Sequence, residues 1–378
     1  MSALSALLHQ HESRTALALW AIVPTVFLFF TLTLAVNPPD HVDRLRVGVV
    51  VHDEGVVTPT GPVSIGPRLL EGMQARLGAE PVPFATEGAL REAIDVHDVS
   101  VGIVVPPGLT EALMTSQPAQ LLVVRTDAGD AFGNAFSASL ASQLSASLNA
   151  VLPALLDGEG PVAPAITVET DTIAASADFR FPALPAGLLL PLWMASVAFA
   201  ALLATAGDRV RTTFGALRTG LAELTVVAVA AAAVAVVLAA DIALFTWRGD
   251  IGIVALSSFL WVGLVAIGWL LLGTIRLVGI RGGALLGAIA LFVQQPVSGA
   301  VYPAAFAPDA VRWLEPIAPL RYLVEGLRTV LIGGSTTADM SLALGVLALA
   351  GASLAALGMV RLAATASRRV RRETLATA

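Results

Sequence analysis

Six apolar segments punctuate the chain, and they are unevenly spaced. One, Thr15–Val36, stands near the N-terminus and is followed by 145 residues of mixed, largely polar sequence. Five more arrive almost back to back, at Pro182–Gly207, Gly220–Phe245, Ile251–Thr274, Gly282–Tyr302 and Ser341–Val360. Each holds 20 or more residues, the length that crosses a ~30 Å hydrocarbon layer as a helix. The first run ends in Asn37-Pro38-Pro39-Asp40, which is not a small-residue cleavage site, so it is expected to be an uncleaved anchor. The pattern predicts an α-helical multi-pass membrane protein with six transmembrane helices and an α/β domain inserted between helices 1 and 2. The expected parts are 1–36 (N-terminus and first helix), 37–181 (the inserted domain) and 182–378 (helices 2–6).

The insert has its own periodicity. Arg46–Val51 (RVGVVV) is a β-branched run expected as a buried strand, ended by His52-Asp53-Glu54-Gly55. Gly66–Leu77 has helical spacing through Leu69, Leu70, Met73 and Leu77. A short strand at Val82–Phe84, a helix at Gly88–Ile94, strands at Val99–Val105 and Gln120–Arg125, and a last strand at Ala165–Thr170 complete the alternation. After Asp130, leucines and a phenylalanine recur every four residues from Phe136 to Leu152, predicting one long helix. Strands alternating with helices argue for partly parallel pairing. Between the last two spans, 303–337 is expected to form a helical hairpin, with Ala310–Leu314 as one helix and Leu320–Leu331 as the second. Gln294-Gln295-Pro296 interrupts the fifth span and frees backbone groups that need a protein-lined or wet setting.

Charge sets the expected orientation. With the N-terminus inside, the inner pieces hold 11 Arg against three acids, whereas the short outer loops hold four Arg and five acids. By the positive-inside rule both termini are expected to be cytoplasmic and the large domain, with 18 acids and seven Arg, to lie outside the cell membrane. Composition agrees: 56% of the 378 residues are hydrophobic, 13% are charged and the mean hydropathy is +0.80. All 22 basic residues are Arg, and there is no Cys. A chain without Lys has no standard phosphate-binding P-loop, and no H-E-x-x-H or G-x-S-x-G occurs. No enzyme activity and no cofactor is expected in this chain, and no nucleic-acid partner, since its basic cluster sits beside a span.

Candidate chemistry is sparse. His41, His52 and His97 each stand near an acid, but nothing makes them converge, so no metal site is expected. Gly283 and Gly287 form a small-xxx-small pair suited to close helix packing. Glu223 and Asp241 are the acids inside spans, both near interfaces where they can snorkel or meet water. On the hairpin, Arg321, Glu325 and Arg328 share a side at i, i+4 and i+7, a polar stripe in which Glu325 can pair with either Arg. The connection Asp208–Thr219 (DRVRTTFGALRT) is basic, with apolar side chains that a partner could use.

The layout, the pair VGVVVHDEG and VGIVVPPGLTEAL, and LEPIAPLRYLVEGLRTVLIGG before the last span together resemble the membrane subunit of type-two ABC exporters, in the branch that includes the phage-infection-protein (Pip) family. The resemblance covers nearly the whole chain. It implies a permease that dimerises with a second copy, homo- or heterodimeric, and is powered by a separate cytosolic ABC ATPase carrying the ATP and Mg. It also implies contact with membrane lipid and outward movement of an amphipathic or lipophilic substrate. Arg209, Arg211, Phe214 and Arg218 would then form the coupling segment, and Gln294, Gln295 and Pro296 would border the substrate path. A membrane-anchored receptor or secretion-accessory protein, and an ion-coupled carrier, are the alternatives.

Overall fold

A computed structural model describes residues 44–58, 61–64, 66–67, 80–115, 117–155, 166–176, 181–246, 252–333, 344–361 and 363–364. The first expected span, nearly all of the helix expected at Gly66–Leu77, His41 and the Arg-rich stretch 368–372 lie outside them.

The N-terminal α/β region is a five-stranded mixed sheet in the order β4-β1-β5-β6-β7. Its strands are β1 (Arg46–Val51), β4 (Glu80–Pro83), β5 (Val101–Val105), β6 (Ala119–Arg125) and β7 (Ile166–Thr172). A small hairpin of β2 (Val56–Thr58) and β3 (Gly61–Val63) stands apart. β1 pairs in parallel with β4 and β5, β5 pairs antiparallel with β6, and β6 pairs in parallel with β7. The central strands are apolar along most of their length, and β5 (VGIVV) is buried at every position, because both faces are covered. Val47, Ile103 and Leu121 face α2 (Leu109–Met114) and α3 (Ala131–Leu155), packing with Leu109, Leu140 and Leu144. Val50, Val104 and Val124 face α1 (Glu87–Asp95), against Leu90 and Ile94. Leu90 lies so close over β5 that a Cβ at Gly102 would come within 2.7 Å of it.

Among the described residues four helices are long and apolar enough to span a membrane: α4 (Leu184–Phe214), α5 (Ala216–Thr246), α6 (Ile253–Val278) and α10 (Leu344–Arg361). The 31 residues of α4 extend about 46 Å at 1.5 Å per residue. The chain is a membrane protein by this count. The expected fifth span is shorter than its apolar run: α7 (Ile280–Gln294) has 15 residues and gives way to turns from Gln295 on. Pro296 supplies no N–H and clashes with the carbonyl four residues back, and Gly299, at φ +68°, turns the chain away.

After that turn come short helical turns, α8 (Asp309–Arg312), and α9 (Pro319–Ile332). α9 buries Leu320, Leu323, Val324, Leu327 and Leu331 in the helical core with residues of α4 and α6. Gly283 packs on the Ile275 backbone and Gly287 on Leu271 and Val197. The Gly287 carbonyl accepts the Trp193 indole N–H at 2.9 Å. The small-residue pair therefore serves helix packing, as its spacing suggested.

The hairpin is also stitched to the sheet region. Phe306, fully buried, belongs to the sheet's own core beside Leu109 and Leu140. Phe132, in the first turn of α3, meets the Phe306 ring edge-on at 5.2 Å and the Tyr302 ring at 6.0 Å. Its backbone N–H donates to the Val301 carbonyl at 3.2 Å.

Candidate functional site

Among the described residues, two cavities are lined by clusters of charged side chains, one at each end of the helices. The first is a cavity of about 450 Å³ between the sheet region and the hairpin. On the sheet side it is built by the loop that leads into α3. The Asp130 carboxylate caps that helix, accepting from the Gly133 N–H at 2.7 Å. The Asn134 amide donates to the Asp127 and Gly129 carbonyls at 2.9 and 3.3 Å, fixing the approach. His97 follows α1 with φ +62°, the left-handed region that few non-glycine residues occupy, and its Nε2 lies 3.1 Å from the Ala128 carbonyl. Desolvation by its surroundings lowers the His97 pKa and favours the neutral ring.

Five arginines line this cavity, and four are consumed in ion pairs. Arg46 pairs with Asp98. Arg44 and Arg312 share Asp309, at 3.9 and 2.9 Å. Both also donate to the carbonyls of Ala305 and Ala307, so two cations from opposite sides clamp one turn. Arg321 holds Glu315 at 2.8 Å and Glu325 at 2.7 Å.

Arg328 differs. It is buried, its Nη2 donates to the Gly299 and Ala300 carbonyls at 2.7 and 3.2 Å, and its Nε has no partner. Among the described residues no carboxylate comes within ion-pair distance of it. Burial pulls its pKa down to about 10, with Asp130 the largest opposing influence. Burial likewise raises the pKa of Asp130, with Arg328 acting to lower it. The expected stripe therefore divides: Arg321 and Glu325 pair at the surface, while Arg328 turns inward and holds the 299–300 turn.

Gln294 and Gln295 also part company. Gln294 is buried and its Oε1 accepts the Leu320 N–H at 3.0 Å, capping α9 in place of a backbone acceptor. Its Nε2 has no hydrogen-bond partner. The Gln295 carbonyl takes the Ser298 hydroxyl at 2.7 Å. Here the two residues organise a turn and a helix start.

The second place is the far end of the bundle. Asp208–Thr219, read in sequence as a connection, is almost all helix: α4 runs to Phe214, Gly215 turns at φ +81°, and α5 begins at Ala216. Arg209, Arg211 and Phe214 are thus the last turns of α4 and Arg218 the first of α5. Phe214 and Leu217 are 61% and 62% exposed, and Val210 is 45% exposed.

Just behind this corner lies a charge cluster that the sequence reading missed. Arg276, two residues beyond the span expected at Ile251–Thr274, sits inside α6 and is buried. Its guanidinium pairs with Glu223 of α5 (Nε to Oε2, 3.1 Å), with Asp208 of α4 at 2.8 Å, and with the Ala204 carbonyl at 3.0 Å. Asp208 also holds Arg211 at 3.3 Å. Glu223 is 4% exposed and meets a cation, which corrects the expectation that it snorkels or meets water. Asp241 is exposed. A cleft of about 540 Å³ opens beside the cluster, lined by Arg211, Arg281 and Arg361. An acid near the start of one span and a base near the end of the next, at the same end of antiparallel helices, was the available signal.

No described group of His, Asp or Glu is arranged to hold a metal ion. His52 is exposed. Asp53 spends its carboxylate on the Thr110 N–H (3.0 Å), the Thr110 hydroxyl (2.5 Å) and the Gly66 N–H (3.2 Å), which ties β1 to the start of α2. Comparison with protein-family models, curated proteins and solved structures finds no match to this chain.

Proposed function

We propose that the chain is the permease subunit of an ATP-driven exporter of the type-two class its sequence resembles, moving an amphipathic or lipophilic substrate outward with energy from a separate cytosolic ATPase. The observation that carries this reading is the α4–α5 corner, which exposes Val210, Phe214 and Leu217 among Arg209, Arg211 and Arg218. Apolar side chains rimmed by cations suit a water-soluble protein partner. Behind the corner, Arg276 joins α4, α5 and α6 through charge-assisted bonds, so a force applied at Phe214 reaches three helices together. In this reading both termini and the corner face the cytoplasm of a bacterial cell and the α/β region stands outside. A second copy completes the conduit, and the stretch around Gln294, Gln295 and Pro296 borders the route.

An ion-coupled carrier has less support, since Glu223 is engaged by a guanidinium and Asp241 is exposed at a helix end. A receptor acting through the α/β region has no use for the exposed corner. The test is co-purification in detergent with the cytosolic ABC ATPases of the same genome, each co-expressed with the chain. A stable complex with ATPase activity, abolished by Phe214→Asp or Arg211→Glu in a folded permease, is expected. No complex, or one indifferent to both substitutions, overturns the exporter reading.

A further inference from the structure

We propose that the cavity between the α3 N-terminus and the hairpin binds a zwitterionic group, its phosphate or carboxylate on Arg328 and its ammonium facing Asp130. The inference requires no transport and stands apart from the exporter reading. It rests on which charges in the cavity are already satisfied. Arg44 and Arg312 are neutralised by Asp309, Arg46 by Asp98, and Arg321 by Glu315 and Glu325. Two lining charges have no ion-pair partner among the described residues, and they are of opposite sign: Arg328 and Asp130. Both line the cavity, and they do not form an ion pair with each other.

Burying a guanidinium is costly unless its donors are used. Arg328 is 5% exposed, and its two hydrogen bonds to protein both leave from Nη2. A guanidinium has five donors arranged to grip a carboxylate or phosphate. A simple anion there would meet repulsion from Asp130, and a simple cation repulsion from Arg328. A molecule carrying both charges satisfies both groups. The volume of about 450 Å³ lies within the ~300–1,000 Å³ typical of small-molecule sites. Two sources share this chemistry: a phosphoethanolamine lipid headgroup, and a free amino acid or peptide end.

The experiment is calorimetric titration of the full chain in detergent, at constant ionic strength, with glycerophosphoethanolamine, glycine, glycerol phosphate and ethanolamine. At least one zwitterion should bind, with the two probes that carry charge of only one sign about tenfold or more weaker, the scale of one charge-assisted bond. Binding of glycerophosphoethanolamine alone identifies a lipid headgroup; binding of glycine alone identifies an amino acid or peptide end. Arg328→Gln should abolish binding. Asp130→Asn, which keeps an acceptor for the Gly133 N–H, should raise glycerol phosphate to parity with the zwitterion, and it carries the test if the arginine variant fails to fold. Failure of both zwitterions to bind, equal binding of glycerol phosphate to the unaltered protein, or unchanged selectivity in Asp130→Asn overturns the proposal.

Discussion

Arg276 and Glu223 meet inside the helical bundle, and Gly207 of α4 leaves the room in which they do so. A Cβ at position 207 would strike the Glu223 carboxylate and come within 2.7 Å of the Arg276 Nη2. Three helices thus converge on one ion pair. Removing Glu223 leaves the buried Arg276 with only the more exposed Asp208 as its counter-charge, and breaking a buried pair costs up to about 3–5 kcal/mol. Glu223→Gln is expected to lower the thermal midpoint of the purified protein strongly, and Gly207→Ala nearly as much. The pair Glu223→Gln with Arg276→Gln should be more stable than the single Glu223→Gln, because no uncompensated charge remains. Additive losses in that cycle would show that the two residues do not act together.

Gln294 makes a separate prediction, because its structural and transport roles can be told apart. Its Oε1 takes the Leu320 N–H at 3.0 Å inside protein. Gln294→Leu leaves that donor buried and unpaired, a loss of about 1–3 kcal/mol. Gln294→Glu keeps an acceptor and should recover most of the stability in a denaturant titration. If glutamate restores no more stability than leucine, the capping role is wrong.

How much of this was legible follows from the range of the forces involved. β1 was predicted at its observed bounds, and α3 after Asp130, because each carries its pattern within one element. The end of α7 was half legible: Pro296 marks a break, but the expected span ran on to Tyr302 because the residues after the break remain apolar. Those residues are apolar because they pack against protein: Val297 with Ala307 and Ala318, and Tyr302 on the sheet region's core, far away in sequence. Arg328 shows the same limit. Helical spacing put it in one stripe with Arg321 and Glu325, whereas the approach of Gly299 and Ala300 holds its guanidinium buried.

The Phe306 contact is itself testable. It is 1% exposed and lies between Phe132 and the sheet core. Truncation to Ala removes about 3–5 kcal/mol of packing from the junction. Limited proteolysis should then cut the 303–318 segment faster, while the α4–α6 helices keep their resistance. Uniform loss of resistance across the chain would mean that Phe306 supports the whole fold rather than the junction.

The expected orientation can be read chemically, because the chain has no Cys and each introduced thiol is unique. Val96 is 49% exposed on the α/β region and Phe214 61% exposed at the corner. In intact cells a membrane-impermeant maleimide should label Val96→Cys and leave Phe214→Cys untouched until the membrane is opened. The reverse pattern would invert the topology and remove the corner as a cytoplasmic docking surface.

His97 supplies a pH prediction whose sign follows from its surroundings. Desolvation lowers its pKa in the folded chain and the nearby Arg328 charge acts the same way, while the Ala128 carbonyl, Glu325 and Asp95 pull upward without prevailing. An unfolded histidine titrates near ~6.5. The folded protein therefore binds its proton less readily, so the contribution of His97 to stability is present above that value and is lost as pH falls through the folded pKa. Asp130 acts in the opposite sense: its pKa is raised, so its proton favours the folded state as pH falls. Comparing variants isolates the histidine. Asn tolerates the left-handed backbone at this position and does not titrate. Between pH 7.5 and 5, the thermal midpoint of the unaltered protein should fall more steeply than that of His97→Asn. Parallel curves would show that His97 is equally ready to protonate in both states.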